Sequence, residues 1–411
     1  VARVLFVNIP AEGHVNPSLG LVKQLVDSGD EVVYLCTEEY RTKLRHTGAQ
    51  FRAYPFDENI FAEFDFNLLE VKHPLQFTDF LLRGTIATHL PAILKLVEKD
   101  SFDYMIVDSS FGWGVHILSE VLKIPTVCSV THFVFQEPIN LLHLNPLDDQ
   151  AGVDMEGIDL EALNERIKAN SQAIAAKYNV AVPAIEDLYR QYGQLKLVFT
   201  SRYFQPDSEQ FDDSFKFIGP SIVQRLDAPS FPLDLLRAQH QNVVYISMGT
   251  VLNKDLDLYE LLFAAYQDIP AQFVLSCGKE TDMGQLSDRI PDNFIVKPYV
   301  PQLEILQHAD VFITHAGMNS TSEALYYNVP LVMIPLSSDQ PIVAARVEEL
   351  GAGIMLNKNN LTADDLKSAL LKVLNDSSYK ERARLIGDSL RSSDGSKQAA
   401  QEIRAMFTTV R

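Results

Sequence analysis

Short, almost uninterrupted runs of β-branched and aromatic residues recur along this chain, each followed by a stretch with helical spacing. This alternation constrains the fold more than any other feature. RVLFVNI leads through PAEGHVN into a helix from Pro17 to about Ser28, a stop at Gly29 and a second run, EVVYLC. Asn16 reads as the N-cap, Pro17 as the first helical residue and Gly29 as the left-handed terminator. Strands that are apolar throughout are buried on both faces, so the runs belong to a parallel sheet covered by helices.

DYMIV at 103–107 and IPTVCS at 124–129 continue the series, and LKLVFTS returns at 195–201 after a polar, largely helical segment over 137–190. FKFIGPSIVQRLDAPSFPLD carries Pro220, Pro229 and Pro232 with little helical periodicity and reads as a linker. The alternation then restarts with NVVYIS, FVLSCG, FIVKP, DVFIT, LVMIP and GIML. The expected fold class is α/β with two Rossmann-like domains. Their expected bounds are 1–215 and 239–378, joined by a linker over 216–238 and followed by helices over 379–411.

Composition narrows the function. A chain of 411 residues, 46% of them hydrophobic, has ample core for two or three domains. Its net charge of -19, from 35 Lys+Arg against 54 Asp+Glu, offers no field that would collect nucleic acid. Cys36, Cys128 and Cys277 are widely spaced in apolar runs, which fits a reducing cytoplasmic setting better than a disulfide framework. VARVLFVNIP has no basic n-region, and no apolar run approaches the length of a membrane span, so no export signal or stable membrane insertion is expected. A monomer is the default expectation.

Ligands of open α/β sheets sit outside the carboxyl ends of the strands, and the chemistry-bearing residues collect there. His14 follows the first strand, in a loop, and Asp108 follows DYMIV. A histidine near its ordinary pKa of about 6.5 can take a proton from an attacking hydroxyl, and a carboxylate on its other nitrogen fixes the tautomer. From position alone, a histidine bonded to its own loop and an aspartate capping the next turn is the plainer alternative. In the second half, HAGMNSTSE at 315–323 reads as strand end, turn and helix N-terminus. Unpaired N–H groups there attract phosphate, and Glu323, four residues after Asn319, is placed to hold ribose hydroxyls. A merely capped helix with a solvated Glu323 is the competing reading. Gly249 and Thr250 in SMGT, Tyr299, Val300 and Gln302 in KPYVPQLEIL, and Asp339 and Gln340 in PLSSDQ all lie at further strand ends. Their joint occurrence is specific where each alone is modest.

These segments resemble the family-1 glycosyltransferases of the GT-B type, close to the bacterial macrolide and flavonoid enzymes. The resemblance runs from VNIPAEGHVNPSLGL through FIGPSI and ISMGT to PYVPQLEIL, HAGMNSTSEAL, VPLVMIP and DQ. It implies two Rossmann-like domains facing a central cleft, the first binding the acceptor and the second a UDP-sugar, with the C-terminal helices crossing back to the first. It implies His14 as general base with Asp108 as its partner, Tyr299 stacked on uracil with Val300 and Gln302 beside it, and Glu323 on the ribose. Thr250, His315, Gly317, Asn319 and Ser320 would surround the diphosphate, Gly249 and Met318 would also belong to the donor site, and Asp339 and Gln340 would read the sugar. Ala316 stands where a second glycine is usual, and Val343 replaces the Asn of D-Q-x-x-N-A, removing any polar contact from that position.

The reaction so implied is inverting transfer of a hexose, glucose first, to a hydroxyl of an apolar acceptor: a flavonoid, another phenol or a macrolide. No cofactor beyond the UDP-sugar and no metal is expected, since the chain lacks HExxH, a clustered Cys/His set and an Asp-rich metal motif. The rivals are a UDP-sugar epimerase or hydrolase of the same architecture and a non-catalytic sugar-nucleotide sensor. Phe111, Trp113, Phe133 and Phe135 near the first crevice favour an apolar acceptor, though each alone is better read as core.

Overall fold

The computed structural model describes all residues except 56–72, 137–158, 226–227, 238–239, 250–254, 280, 394 and 410–411. Among the described residues, thirteen strands fall into two all-parallel sheets. The first sheet takes β1 (Arg3–Val7), β2 (Glu31–Cys36), β3 (Gln50–Ala53), β4 (Tyr104–Asp108), β5 (Thr126–Val130), β6 (Leu195–Val198) and β7 (Phe215–Phe217), in the order β3-β2-β1-β4-β5-β6-β7. The second takes β8 (Asn242–Ser247), β9 (Ala271–Ser276), β10 (Phe294–Lys297), β11 (Val311–Thr314), β12 (Leu331–Met333) and β13 (Gly353–Met355), in the order β10-β9-β8-β11-β12-β13. Each order reverses beside its first strand, as in doubly wound nucleotide-binding folds.

The chain divides between Val223 and Gln224, within the stretch read as a linker, and again after Ser392. Val1–Val223 and Ser393–Arg411 form one unit, and Gln224–Ser392 the other. FKF, counted in sequence partly as linker, is the edge strand β7, held by pairing with β6 and by burial of Phe217.

In the first sheet alternate residues feed opposite layers, as a strand requires. Leu5 and Val7 face one core with Val33, Leu35, Met105 and Val107, while Val4 and Phe6 face another with Val32, Tyr34, Tyr104 and Ile106. The first core takes in the helical stretch Leu75–Val97. Its 23 residues include an 18-residue window of mean hydropathy 1.3, long and apolar enough by composition to span a membrane, contrary to the expectation from sequence. Leu82, Ile86, Leu90 and Ile93 on it are nevertheless fully buried in this core, the placement of a core helix.

Helix α1 (Glu12–Asp27) packs in the second core, and its start differs from the sequence expectation. Ala11 is the N-cap, with no side-chain cap, and the N–H groups of His14 and Val15 both reach its carbonyl. Pro17 therefore lies inside the helix. A proline deep in a helix costs about 3 kcal/mol, but near the first turn it forfeits a single backbone bond. Burial of Val15, Leu21, Val22 and Leu25, each worth roughly 1.5–3 kcal/mol, outweighs that loss.

In the second unit, helix α2 (Gln302–Leu306) follows β10, α3 (Met318–Tyr326) follows β11 and α4 (Gln340–Glu349) follows β12. Of the two C-terminal helices, α5 (Ser377–Ser392) packs on α3, whereas α6 (Gly395–Thr409) packs on α1 in the first unit. Gly387 is the point of closest approach between α3 and α5, for a Cβ there would lie 2.3 Å from the Leu325 carbonyl oxygen. Alanine has the higher helix propensity by about 1 kcal/mol, but a clash with fixed backbone costs roughly 1–3 kcal/mol. Gly387→Ala is therefore expected to lower the urea midpoint of the second unit, and an unchanged or raised midpoint would refute this packing.

Candidate active site

The strand-order reversal leaves a crevice edge between the carboxyl ends of β1 and β4, and His14 and Asp108 meet there. His14 Nδ1 lies 2.9 Å from Asp108 Oδ2, and the aspartate is fully buried at the end of β4. His14 sits in the first turn of α1, not in a loop as read from sequence. An ionised carboxylate only accepts, so the Nδ1 proton is on His14 and the lone pair of the ring is on Nε2. Burial alone would raise the Asp108 carboxyl, but the His14 charge and hydrogen bond, with the Ser110 N–H at 2.8 Å, outweigh it and hold it below its ordinary value.

Two sets of residues not singled out from sequence hold this pair. Thr131 Oγ1, just past β5, lies 3.0 Å from His14 Nδ1, so the ring nitrogen is held from two strand ends. Beneath the first turn, Asn8 Nδ2 donates to the His14 carbonyl at 3.0 Å and to Tyr34 Oη at 2.7 Å. Ser18 Oγ donates to the Val15 carbonyl, which leaves it to accept from Tyr34 Oη at 2.8 Å. A buried, satisfied chain of this kind fixes the turn that carries the base. Beside it, His132 Nδ1 bonds the Phe133 carbonyl and Nε2 lies 3.1 Å from Ser109 Oγ. Phe111, Trp113 and Phe133, candidates for an apolar acceptor wall, are buried as core, and Phe135 is only partly so.

In the second unit the equivalent edge lies between β8 and β11. His315 leaves β11 directly, with Gly249 on one side and Gly317 on the other. A Cβ at Gly249 would lie 2.7 Å from His315 Nε2, and one at Gly317 2.6 Å. Only glycine lets the ring sit there. Burial pushes the His315 imidazole down to about 4, against a weaker upward pull from its bond with the Ser247 backbone, so the ring is neutral at physiological pH. Gly317 is the N-cap of α3 and supplies no capping side chain. The open first turn, with Met318, Asn319 and Ser320, is therefore an anion-attracting helix end. Ala316 is buried at φ 65, a left-handed conformation that the usual glycine would adopt without strain.

Several predicted donor residues take different roles in detail. Gln302 turns its amide inward: Nε2 donates to Glu323 Oε2 at 2.6 Å and approaches Ser320 Oγ at 3.3 Å, while Oε1 accepts from Tyr245 Oη at 3.1 Å. It supports Glu323, and its Oε1 keeps one lone pair beyond the Tyr245 bond. The Val300 side chain is buried, leaving its backbone as the group that could meet a ligand. Tyr299 is partly buried, with Lys279 Nζ 5.9 Å from its ring centre. Glu323 is buried and bonded to Asn319 Nδ2 at 2.8 Å, Gln302 and Arg225. Gln340 Oε1 accepts from the N–H groups of Leu336 and Ser337, so its amide is oriented by the turn before α4. Asp339 is the N-cap of α4, and Thr250 lies outside the described residues. Among the described residues no group of His, Cys, Asp and Glu is placed to hold a metal ion.

A histidine paired with a buried carboxylate on one parallel-sheet unit, and an open helix end beside a neutral histidine on another, are the parts of a nucleotide-sugar-dependent glycosyltransferase of the GT-B fold. Residues 225–389 match the family described as UDP-glucoronosyl and UDP-glucosyl transferase. The chain is 36% identical over 411 residues to an uncharacterized UDP-glucosyltransferase, YojK, of Bacillus subtilis (strain 168), covering 98% of this chain and 97% of that one. It is 27% identical to the demethyllactenocin mycarosyltransferase of Streptomyces fradiae over 99% of this chain and 87% of the other. The crystal structure of the glycotransferase of kitacinnamycin is similar at a TM-score of 0.80, 27% identity and 98% coverage of each chain. This protein belongs to the bacterial branch of the family-1 glycosyltransferases, and it is an enzyme.

The depressed His315 value has a measurable consequence. Between pH 6.5 and about 4 the unfolded chain binds a proton that the folded chain does not, so this residue makes stability fall as pH falls through that window. Histidine-ring NMR of the ligand-free protein is expected to show His315 neutral at pH 5.5 and shifted toward the protonated form by added UDP. A ring that titrates near 6.5 without ligand would refute it.

Proposed function

We infer that the protein transfers a hexose, glucose first, from a UDP-sugar to a hydroxyl of an apolar small molecule, with inversion at the anomeric carbon. The observation that carries this reading is the 2.9 Å contact between His14 and the buried Asp108, which gives the ring the tautomer and charge support of a general base. His14 Nε2 takes the proton of the acceptor hydroxyl. The freed oxygen pair forms a bond to the anomeric carbon as the bond to the diphosphate oxygen breaks, and that electron pair leaves on UDP. Attack opposite the leaving group turns an α-linked donor into a β-glycoside.

The charge that develops on the diphosphate falls to the open N-terminus of α3 and to a neutral His315 that donates a hydrogen bond, stabilisation of the oxyanion-hole kind. With that charge met by protein groups, no metal and no cofactor beyond the donor are required. The names of the relatives support the two substrate classes: one is a UDP-glucosyltransferase and another glycosylates demethyllactenocin. Flavonoids, simple phenols and macrolides are the acceptor classes to try first.

The test is mass spectrometry of the protein with UDP-glucose and a panel of these acceptors, with a chelator present and His14→Ala alongside. A hexose adduct is expected from the wild type, with the variant slower by about 10²–10⁴-fold. UDP release without an adduct would point to hydrolysis, and an altered sugar nucleotide to epimerisation. An α-glycoside from an α-linked donor would refute the single displacement.

A further inference from the structure

Glu323 lies one turn into α3, where the donor reading places the ribose, yet the residue is 2% exposed. Its Oε1 accepts from Asn319 Nδ2 at 2.8 Å and from Arg225 Nη2, and its Oε2 accepts from Gln302 Nε2 at 2.6 Å. An ionised carboxylate offers about four lone-pair positions, so these three bonds leave roughly one, under a covered surface. Two of the donors are fixed by their elements. Asn319 stands on the same helix, and Gln302 begins α2 and is itself tied to Tyr245. Arg225 is different, for it reaches in on a long side chain from a segment outside any helix or strand.

A guanidinium N–H and a ribose O–H make the same demand on a carboxylate. Resting on the donor reading above, we propose that Arg225 sets the ribose selectivity of this site. Its guanidinium occupies acceptor positions of Glu323 that the vicinal ribose hydroxyls use, and donor binding exchanges one for the other. The net gain from a ribose hydroxyl is then the difference between two similar bonds, and discrimination against nucleotides lacking these hydroxyls is blunted. The assignment accounts for a carboxylate read as a ribose ligand that is buried and already bonded to three donors.

The experiment is calorimetric binding of UDP, 2′-deoxy-UDP and 2′,3′-dideoxy-UDP to the full chain at pH 8, as wild type, Arg225→Met and Arg225→Lys. Arg225→Met is expected to bind UDP roughly tenfold tighter and the dideoxy nucleotide unchanged, a gain the size of one charge-assisted hydrogen bond. The ratio of the two affinities then widens about tenfold. Arg225→Lys keeps the charge and with it the folded unit, but not the planar fork, and is expected to widen the ratio by less. A ratio equal in all three proteins overturns the exchange, as does weaker UDP binding in Arg225→Met at an unchanged ratio, which would make Arg225 a direct donor contact. Should Arg225→Met fail to fold, an unchanged ratio in Arg225→Lys overturns it alone. Wild type that binds none of the three nucleotides overturns the donor reading itself, and this inference with it.

Discussion

The constraint from which everything else follows is the reversal of strand order in each parallel sheet. In the order β3-β2-β1-β4 the chain leaves β1 toward β2 and returns from β3 to β4 on the other side, the reversal that opens a crevice at the edge between β1 and β4 in doubly wound sheets. The same holds between β8 and β11 in the second sheet. Whatever residues stand at those four strand ends are brought together by topology, over any separation in sequence. In the first sheet, 94 residues separate His14 from Asp108, and they meet because Val7 and Val107 are in register on neighbouring strands. In the second sheet, the register of Ser247 with Thr314 brings Gly249 to the face of His315.

Given equivalent edges, environment decides what each histidine does. The His14 side chain is 22% exposed and its Nδ1 faces a wholly buried carboxylate at 2.9 Å. His315 is enclosed by backbone and glycine, with Thr314 Oγ1 3.3 Å from its Nδ1, so burial keeps it neutral and leaves it a donor. Two copies of one architecture thus set one histidine against a carboxylate and the other against backbone and glycine.

Much of this was legible in the sequence because continuous apolar runs and turn residues are local signals. All six strands of the second sheet were readable as such, and so was the helix start after His315. β3 and β7 were missed, for they are short edge strands, QFRA mostly polar and FKF next to a proline-rich segment. The start of α1 was misplaced because Asn16-Pro17 looks like a helix beginning, whereas the true N-cap, Ala11, has no side chain that signals one. Gln302 could be placed at a strand end, but not the direction of its amide, which is set by a carboxylate 21 residues away. Thr131 and Arg225 carry no local motif. Their roles depend on partners 117 and 98 residues distant, and only the folded chain shows them.

The cage around Glu323 follows from the cost of burying charge. An ionised carboxylate removed from water loses several kcal/mol even after relaxation, so it persists only where donors replace the lost hydration. A site that is to receive ribose hydroxyls with a buried carboxylate must therefore satisfy it before the ligand arrives. Rigid donors alone would leave no room, and none at all would make the site collapse or take up a proton. Asn319 and Gln302 meet part of the demand from α3 and α2, and Arg225 meets the rest on a long side chain from outside any helix or strand, the contact that the proposed exchange releases. On this argument recognition at α3 is an exchange among donors, and its strength is set as much by what leaves Glu323 as by what arrives.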